Sequence, residues 1–217
     1  MSRIKYYIID TETTGLNPSF HEVSEIGIIR CDDRVQLWKQ VKCFHPERAS
    51  LDALAITKKT MNDLRIGESK YEVVNQADRF FNEDGLKPSN RCIVGHNIVS
   101  FDRKFLHSLW ESVGKKFPAN LWLDTIHLTN DFIKTGNIPE EKIVKTATGK
   151  ISKTLSSACD MLGIKKFSGA HNAKSDSRNN FLLWKSLVED HKVNYISHIK
   201  TIPHVFSEDS GQEADID

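Results

Sequence analysis

The first third of the chain carries its apolar residues in short β-branched runs. Ile4 to Ile9 is such a run and ends on a carboxylate, Asp10. A Thr-Thr-Gly-Leu-Asn-Pro turn separates it from Val23 to Cys31, and the polar corner Asp32-Asp33 separates that from Gln36 to Phe44. The pattern predicts three consecutive, antiparallel strands. From Ser50 the period changes. Val73, Val74, Ala77, Phe80 and Phe81 fall on one stripe of a helix over Tyr71 to Asn82, ended by Asp84-Gly85.

Further on, strands and helices alternate. Arg91 to Gly95 reads as a short strand. Phe101, Phe105, Leu109, Trp110 and Val113 then recur at helical spacing, with Ser100 as the expected N-cap and Gly114 past the end. Leu121 to Leu123 predicts a strand closing on Asp124, and Thr125 to Lys134 a helix. Residues 136–153 are polar, carry Pro139 and Gly149, and read as a long surface loop. Helices are expected over Thr154 to Leu162 and Ser175 to Asp190. The sequence therefore predicts one α/β domain over residues 1–206, a mixed β-sheet flanked by helices. The acidic end, from Glu208 to Asp217, lacks an apolar cluster and is expected to be a disordered tail over 207–217.

The 217 residues suit one domain at roughly 100–200 residues each. A net charge of +1 excludes a polybasic protein that coats nucleic acid by charge alone, but not an enzyme that grips a strand end. No stretch is long and apolar enough for a membrane span, and the polar-flanked N-terminus is not a signal peptide. Four scattered cysteines without a CxxC pair point to a reducing, cytoplasmic compartment and do not suggest zinc.

Three acidic sites stand out. In Asp10-Thr11-Glu12, extended backbone turns both carboxylates to one face, where they repel unless a cation intervenes. Alone, that tripeptide is weak evidence and reads more simply as a solvated turn. Asp102 follows a strand and turn, beside Phe101 and Phe105, although a first-turn aspartate also suits a helix dipole. In the third site, His171 precedes Asp176 within a small-residue loop that opens the last long helix.

Together these segments resemble the DEDDh subgroup of the DEDD 3′-to-5′ exonucleases, relatives of replicative proofreading subunits with a ribonuclease H-like fold. The resemblance rests on Ile9-Asp10-Thr11-Glu12-Thr13-Thr14-Gly15-Leu16, on His96-Asn97 through Phe101-Asp102, and on Ala170-His171 through Asp176. Glu25-Ile26-Gly27, Ala55-Ile56-Thr57, Asp124-Thr125 and Thr154 to Gly163 are weaker echoes. Ser177, Lys174 and the long basic segment 136–153 depart from the pattern.

The resemblance implies that Asp10, Glu12, Asp102 and Asp176 hold two Mg²⁺ or Mn²⁺ ions, and that His171 is the general base. Carboxylate oxygens suit those hard cations, and an imidazole that titrates near ~6.5 can accept a proton at neutral pH. It further implies that Thr13, Thr14, Gly15 and Leu16 hold the terminal nucleotide, Leu16 as an apolar wedge. His96 and Asn97 either contact substrate or order their own turn, and Phe101 either stacks on substrate or packs in the core. Arg103, Lys104, Lys174, Arg178 and the lysines at 142, 145, 150 and 153 are candidates for phosphate contact or a solvated face.

The expected activity is release of nucleoside 5′-monophosphates from single-stranded nucleic acid 3′ ends, DNA favoured. The enzyme then stands alone or joins a polymerase in trans. The alternative is a nuclease-like module that mainly binds a polymerase or nucleic acid.

Overall fold

Six strands form one mixed sheet in a computed structural model that describes residues 4–169 and 171–206. They are β1 (Lys5–Thr13), β2 (Val23–Arg30), β3 (Gln36–Gln40), β4 (Arg91–Gly95), β5 (Leu121–Asp124) and β6 (Lys200–Thr201). Their order across the sheet is β3-β2-β1-β4-β5-β6. The first three pair antiparallel, as the three consecutive runs predict, and β4 and β5 add in parallel to β1. The helices are α1 (Leu51–Thr57), α2 (Met61–Leu64), α3 (Lys70–Asn82), α4 (Asp102–Glu111), α5 (Thr125–Lys134), α6 (Leu155–Met161) and α7 (Ala173–Lys185).

Strand alternation splits the core in two. Tyr7, Ile9, Ile26 and Ile28 pack with α3 and α4 through Val74, Phe81, Phe105 and Trp110. Ile8, Ile29, Val94 and Leu123 pack on the other face with α5, α6 and α7 through Leu128, Met161 and Leu183. Asp10 and Glu12 share the parity of Ile8 and therefore rise on the α7 side. Gly27 lies opposite Asp10 on β2, and a Cβ there would stand 2.3 Å from the carbonyl oxygen of Ala173. The missing side chain lets the start of α7 descend onto the acidic end of β1.

Several boundaries differ from expectation. β1 does not stop at Ile9: it runs through Asp10, Thr11 and Glu12 to Thr13, because β2 supplies partners as far as Val23. β3 ends at Gln40 rather than Phe44, where Val41 turns to bridge Glu68. Ser100 does not cap α4; Phe101 holds the cap position and no side chain closes the helix. The last long helix begins at Ala173 under Asn172 as N-cap, and from Ser186 to Asp190 it widens into a π turn. The segment 136–153 is mostly exposed, yet it buries Ile138 and pairs Lys145 with Ile151. The expected tail, 207–217, lies outside the described residues. Among those described, no helix is long and apolar enough to cross a membrane. All four cysteines are free, and burial pushes the thiols of Cys31, Cys43 and Cys159 up to about 12.

Candidate active site

Strand β1 delivers Asp10 and Glu12, and the first turn of α7 delivers Asp176. One carboxylate oxygen from each of the three lies within 4.8 Å of the others. Asp102 stands at the start of α4, outside that set of three, and is 6% exposed. Its Oδ1 accepts the backbone N–H of Thr11 at 3.1 Å and the Thr11 hydroxyl at 2.7 Å.

The electrostatics are those of acids packed against one another. Burial, then the charges of Asp102, Glu12 and Asp176, hold the Asp10 carboxyl well above the usual range. Glu12 is pushed up to about 8, by burial first and then by Asp176 and Glu25, with Lys59 opposing. Burial raises Asp102 to about 6 against the Thr11 hydrogen bonds that favour its anion. Asp176 is raised by burial, while the N–H of His171 bonds its Oδ2 at 2.9 Å and opposes the shift. An oxygen-only set that resists ionisation is the donor chemistry of a divalent hard cation, whose charge would remove the repulsion. Asp10, Glu12 and Asp176 fit such an ion directly, and Asp102 stands close enough to raise Asp10.

His171 is exposed and sits at φ 66°, a left-handed conformation uncommon outside glycine, so its backbone faces Asp176 while its ring is open to solvent. Beside the acids opens a cleft of about 500 Å³. Thr11, Glu12, Thr13, Gly15, Leu16 and Phe101 line one side, and Ser50, Ala53, Ile56 and Thr57 line the other. Leu16 is 81% exposed, a leucine held at the cleft edge rather than in the core. The Thr13 hydroxyl donates to the Gly15 carbonyl, and a Cβ on Gly15 would meet the His21 ring at 2.4 Å. The Ser50 N–H donates to the Thr14 carbonyl at 2.8 Å and ties the two walls.

The structure separates the expected substrate residues. Thr13, Gly15, Leu16 and Phe101 line the cleft. Thr14 is buried, its hydroxyl accepting the Glu22 N–H. Both ring nitrogens of His96 are engaged, by the Thr125 hydroxyl and the Lys153 carbonyl, which fastens the 136–153 segment to β4. Asn97, at φ 67°, donates its N–H to Asp124. The wall from α1 was missed as a functional element. Its signal was Ala55-Ile56-Thr57, a segment with an exposed isoleucine and no buried residue.

A protein-family model described as "RNase_T: Exonuclease" matches residues 7–183. The DNA polymerase III subunit epsilon of Buchnera aphidicola subsp. Acyrthosiphon pisum is 27% identical over 226 aligned residues, 93% of this chain and 83% of that protein. The exodeoxyribonuclease I of Buchnera aphidicola subsp. Schizaphis graminum is 23% identical over 122 residues, covering 50% of this chain and 23% of that one. Among solved structures, E. coli exonuclease I in complex with a dT13 oligonucleotide superposes with a TM-score of 0.72 at 18% identity, over 88% of this chain and 42% of the other. The chain thus spans less than half the length of the exonuclease I proteins it matches.

Proposed function

The chain belongs to the exonuclease family that matches it over residues 7–183, and on that premise we propose that it is a metal-dependent 3′-to-5′ exonuclease on single-stranded nucleic acid, DNA favoured. The observation that carries the proposal is the convergence of Asp10, Glu12 and Asp176 within 4.8 Å of one another, beside a cleft edged by an exposed leucine. The catalytic domain is residues 1–206. A DNA substrate is supported by the likeness to an exonuclease bound to dT13, and a polymerase partner in trans by the alignment along most of an epsilon subunit.

Asp10, Glu12, Asp102 and Asp176 hold the metal. Bound by these acids, two Mg²⁺ or Mn²⁺ ions would lower the pKa of water and offset negative charge at the phosphate. The chain does the rest. Leu16, Ile56 and Phe101 cover the terminal base and keep water from it, and Gly15 makes room for the His21 ring behind the loop that carries Leu16. His171, open to solvent, takes the proton of the attacking water at a ring nitrogen as the new P–O bond forms. The bond to the 3′ oxygen of the preceding nucleotide breaks, that oxygen gains a proton from solvent, and a nucleoside 5′-monophosphate leaves.

Matched DNA and RNA oligonucleotides with a 5′ label test this reading. With Mg²⁺ the DNA should shorten as a ladder from its 3′ end, faster than the RNA, and EDTA should stop it. Binding of the strand without shortening would leave a nucleic-acid-binding module.

A further inference from the structure

Glu25 lies opposite Glu12 on the neighbouring strand, so its side chain rises on the same face, yet it is not one of the converging acids. Its side chain is 7% exposed, and its two oxygens are used by two different parts of the molecule. One stands 2.6 Å from the ammonium of Lys59, a lysine whose own side chain is 11% exposed. The other accepts the backbone N–H of Ala173 at 3.1 Å.

Each partner belongs to a wall of the cleft. Lys59 follows α1, and its N–H bonds the Leu54 carbonyl, so it is continuous with the wall that carries Ile56 and Thr57. Ala173 is the first residue of α7, three residues before Asp176 and just past His171. Its carbonyl rests on Gly27, two residues beyond Glu25 on β2. A single carboxylate therefore joins the substrate wall, the helix bearing Asp176, and the strand beside Glu12. Apolar side chains of like size can often replace a buried ion pair at little cost in stability, so what this pair adds is the placement of the parts it touches.

We propose that the Glu25–Lys59 pair is a positioning device that sets α7 and the α1 wall against Glu12, and so governs turnover of bound substrate. This rests on the exonuclease reading. Glu25→Asp keeps the charge but is too short to reach both partners, and Lys59→Met keeps the stem but leaves Glu25 without its counter-charge. Each should lower kcat roughly 10- to 100-fold, as small misplacements of reacting groups do, with KM within about twofold of the parent. Lys59→Arg should retain most of the activity, and the neutral pair Glu25→Gln/Lys59→Met should recover much of what Lys59→Met loses.

Hydrogen exchange over residues 171–178, measured in EDTA without substrate, reads the same tie independently of catalysis. It should speed up in Glu25→Asp and Lys59→Met and return toward the parent in the neutral pair. Unchanged kcat in folded Glu25→Asp, or a loss confined to KM, overturns the proposal, as does unchanged exchange in both single variants. If Lys59→Met does not fold, Glu25→Asp and the neutral pair decide. A parent without nuclease activity refutes the exonuclease reading instead and leaves the exchange result to judge the tie.

Discussion

Thr11 gives both its backbone N–H and its hydroxyl to one oxygen of Asp102, at 3.1 and 2.7 Å. The residue between Asp10 and Glu12 thus points the other way and grips the acid of α4. β1 presents acids on one face and their anchor on the opposite face, as alternation requires.

Thr11→Val removes the hydroxyl and keeps the shape. Asp102 loses a hydrogen bond that favours its anion, so its pKa should rise above about 6. We expect a loss of about 1 kcal/mol in stability, as for one hydrogen bond, and a fall in activity that is partly restored at higher pH. Chemical denaturation and a pH–rate profile check this. A profile that coincides with the parent's would assign Thr11 no such role.

Asp10→Asn removes charge from a crowded cluster without removing core contacts. In EDTA its melting temperature should equal or exceed the parent's. Mn²⁺ should raise the parent's melting temperature far more than the variant's, since a ligand bound by the native state stabilises that state. Equal shifts in both would show that the acids do not hold the ion.

A second acid-sensitive feature lies away from the site. The His107 and His204 rings stack at 4.2 Å, and the His204 Nδ1 accepts the N–H of Phe117, which fastens residues 200–206 to α4. Burial, then the neighbouring His204 and Arg103 charges, lowers His107 from 6.5 to about 3. Burial also lowers His204, with Lys116 adding to it and Glu111 opposing. A histidine depressed in the folded state stabilises fully above its unfolded pKa and loses that contribution as pH falls from about 6.5 toward 3. The melting temperature should therefore drop over that window, and His107→Phe should flatten the drop. An equal slope in the variant would place the acid sensitivity elsewhere.

His171→Ala should lose about 10²–10⁴-fold in turnover if its ring takes the proton, while Mn²⁺ still raises the melting temperature as in the parent. Loss of that metal-induced shift would instead make His171 a structural residue that holds Asp176.

Much of the frame was legible in the residues because it buries them. The apolar runs of β1 and β2 and the stripe Val73–Phe81 of α3 each face a core, and the structure places them where the sequence pattern does. Helix α1 was not legible for the converse reason. It buries none of its residues, and with Ala53 and Ile56 on the cleft it lacks the core stripe that reveals other helices. The two residues of β6, both exposed, carry no period and pair with β5 only through the folded backbone. At the site, spacing alone did not single out Asp10, Glu12 and Asp176; the family resemblance pointed to them, and in the structure their oxygens lie within 4.8 Å of one another. The inward use of Thr14 and His96 was not legible, because their partners, Glu22, Thr125 and the Lys153 carbonyl, come from other loops and elements. Glu25 and Lys59 were invisible as a pair for the same reason.

The acids of β1 and α7, on this proposal, hold the metal that cleavage of the terminal phosphodiester requires. The most direct test is the release of nucleoside 5′-monophosphate from single-stranded DNA by the parent, Asp10→Asn and Asp176→Asn side by side under saturating Mg²⁺. Metal-borne charge stabilisation of several kcal/mol predicts a loss of about 10³-fold or more in both variants, with strand binding retained. Parent-like release of the monophosphate by either folded variant would show that these acids do not serve cleavage.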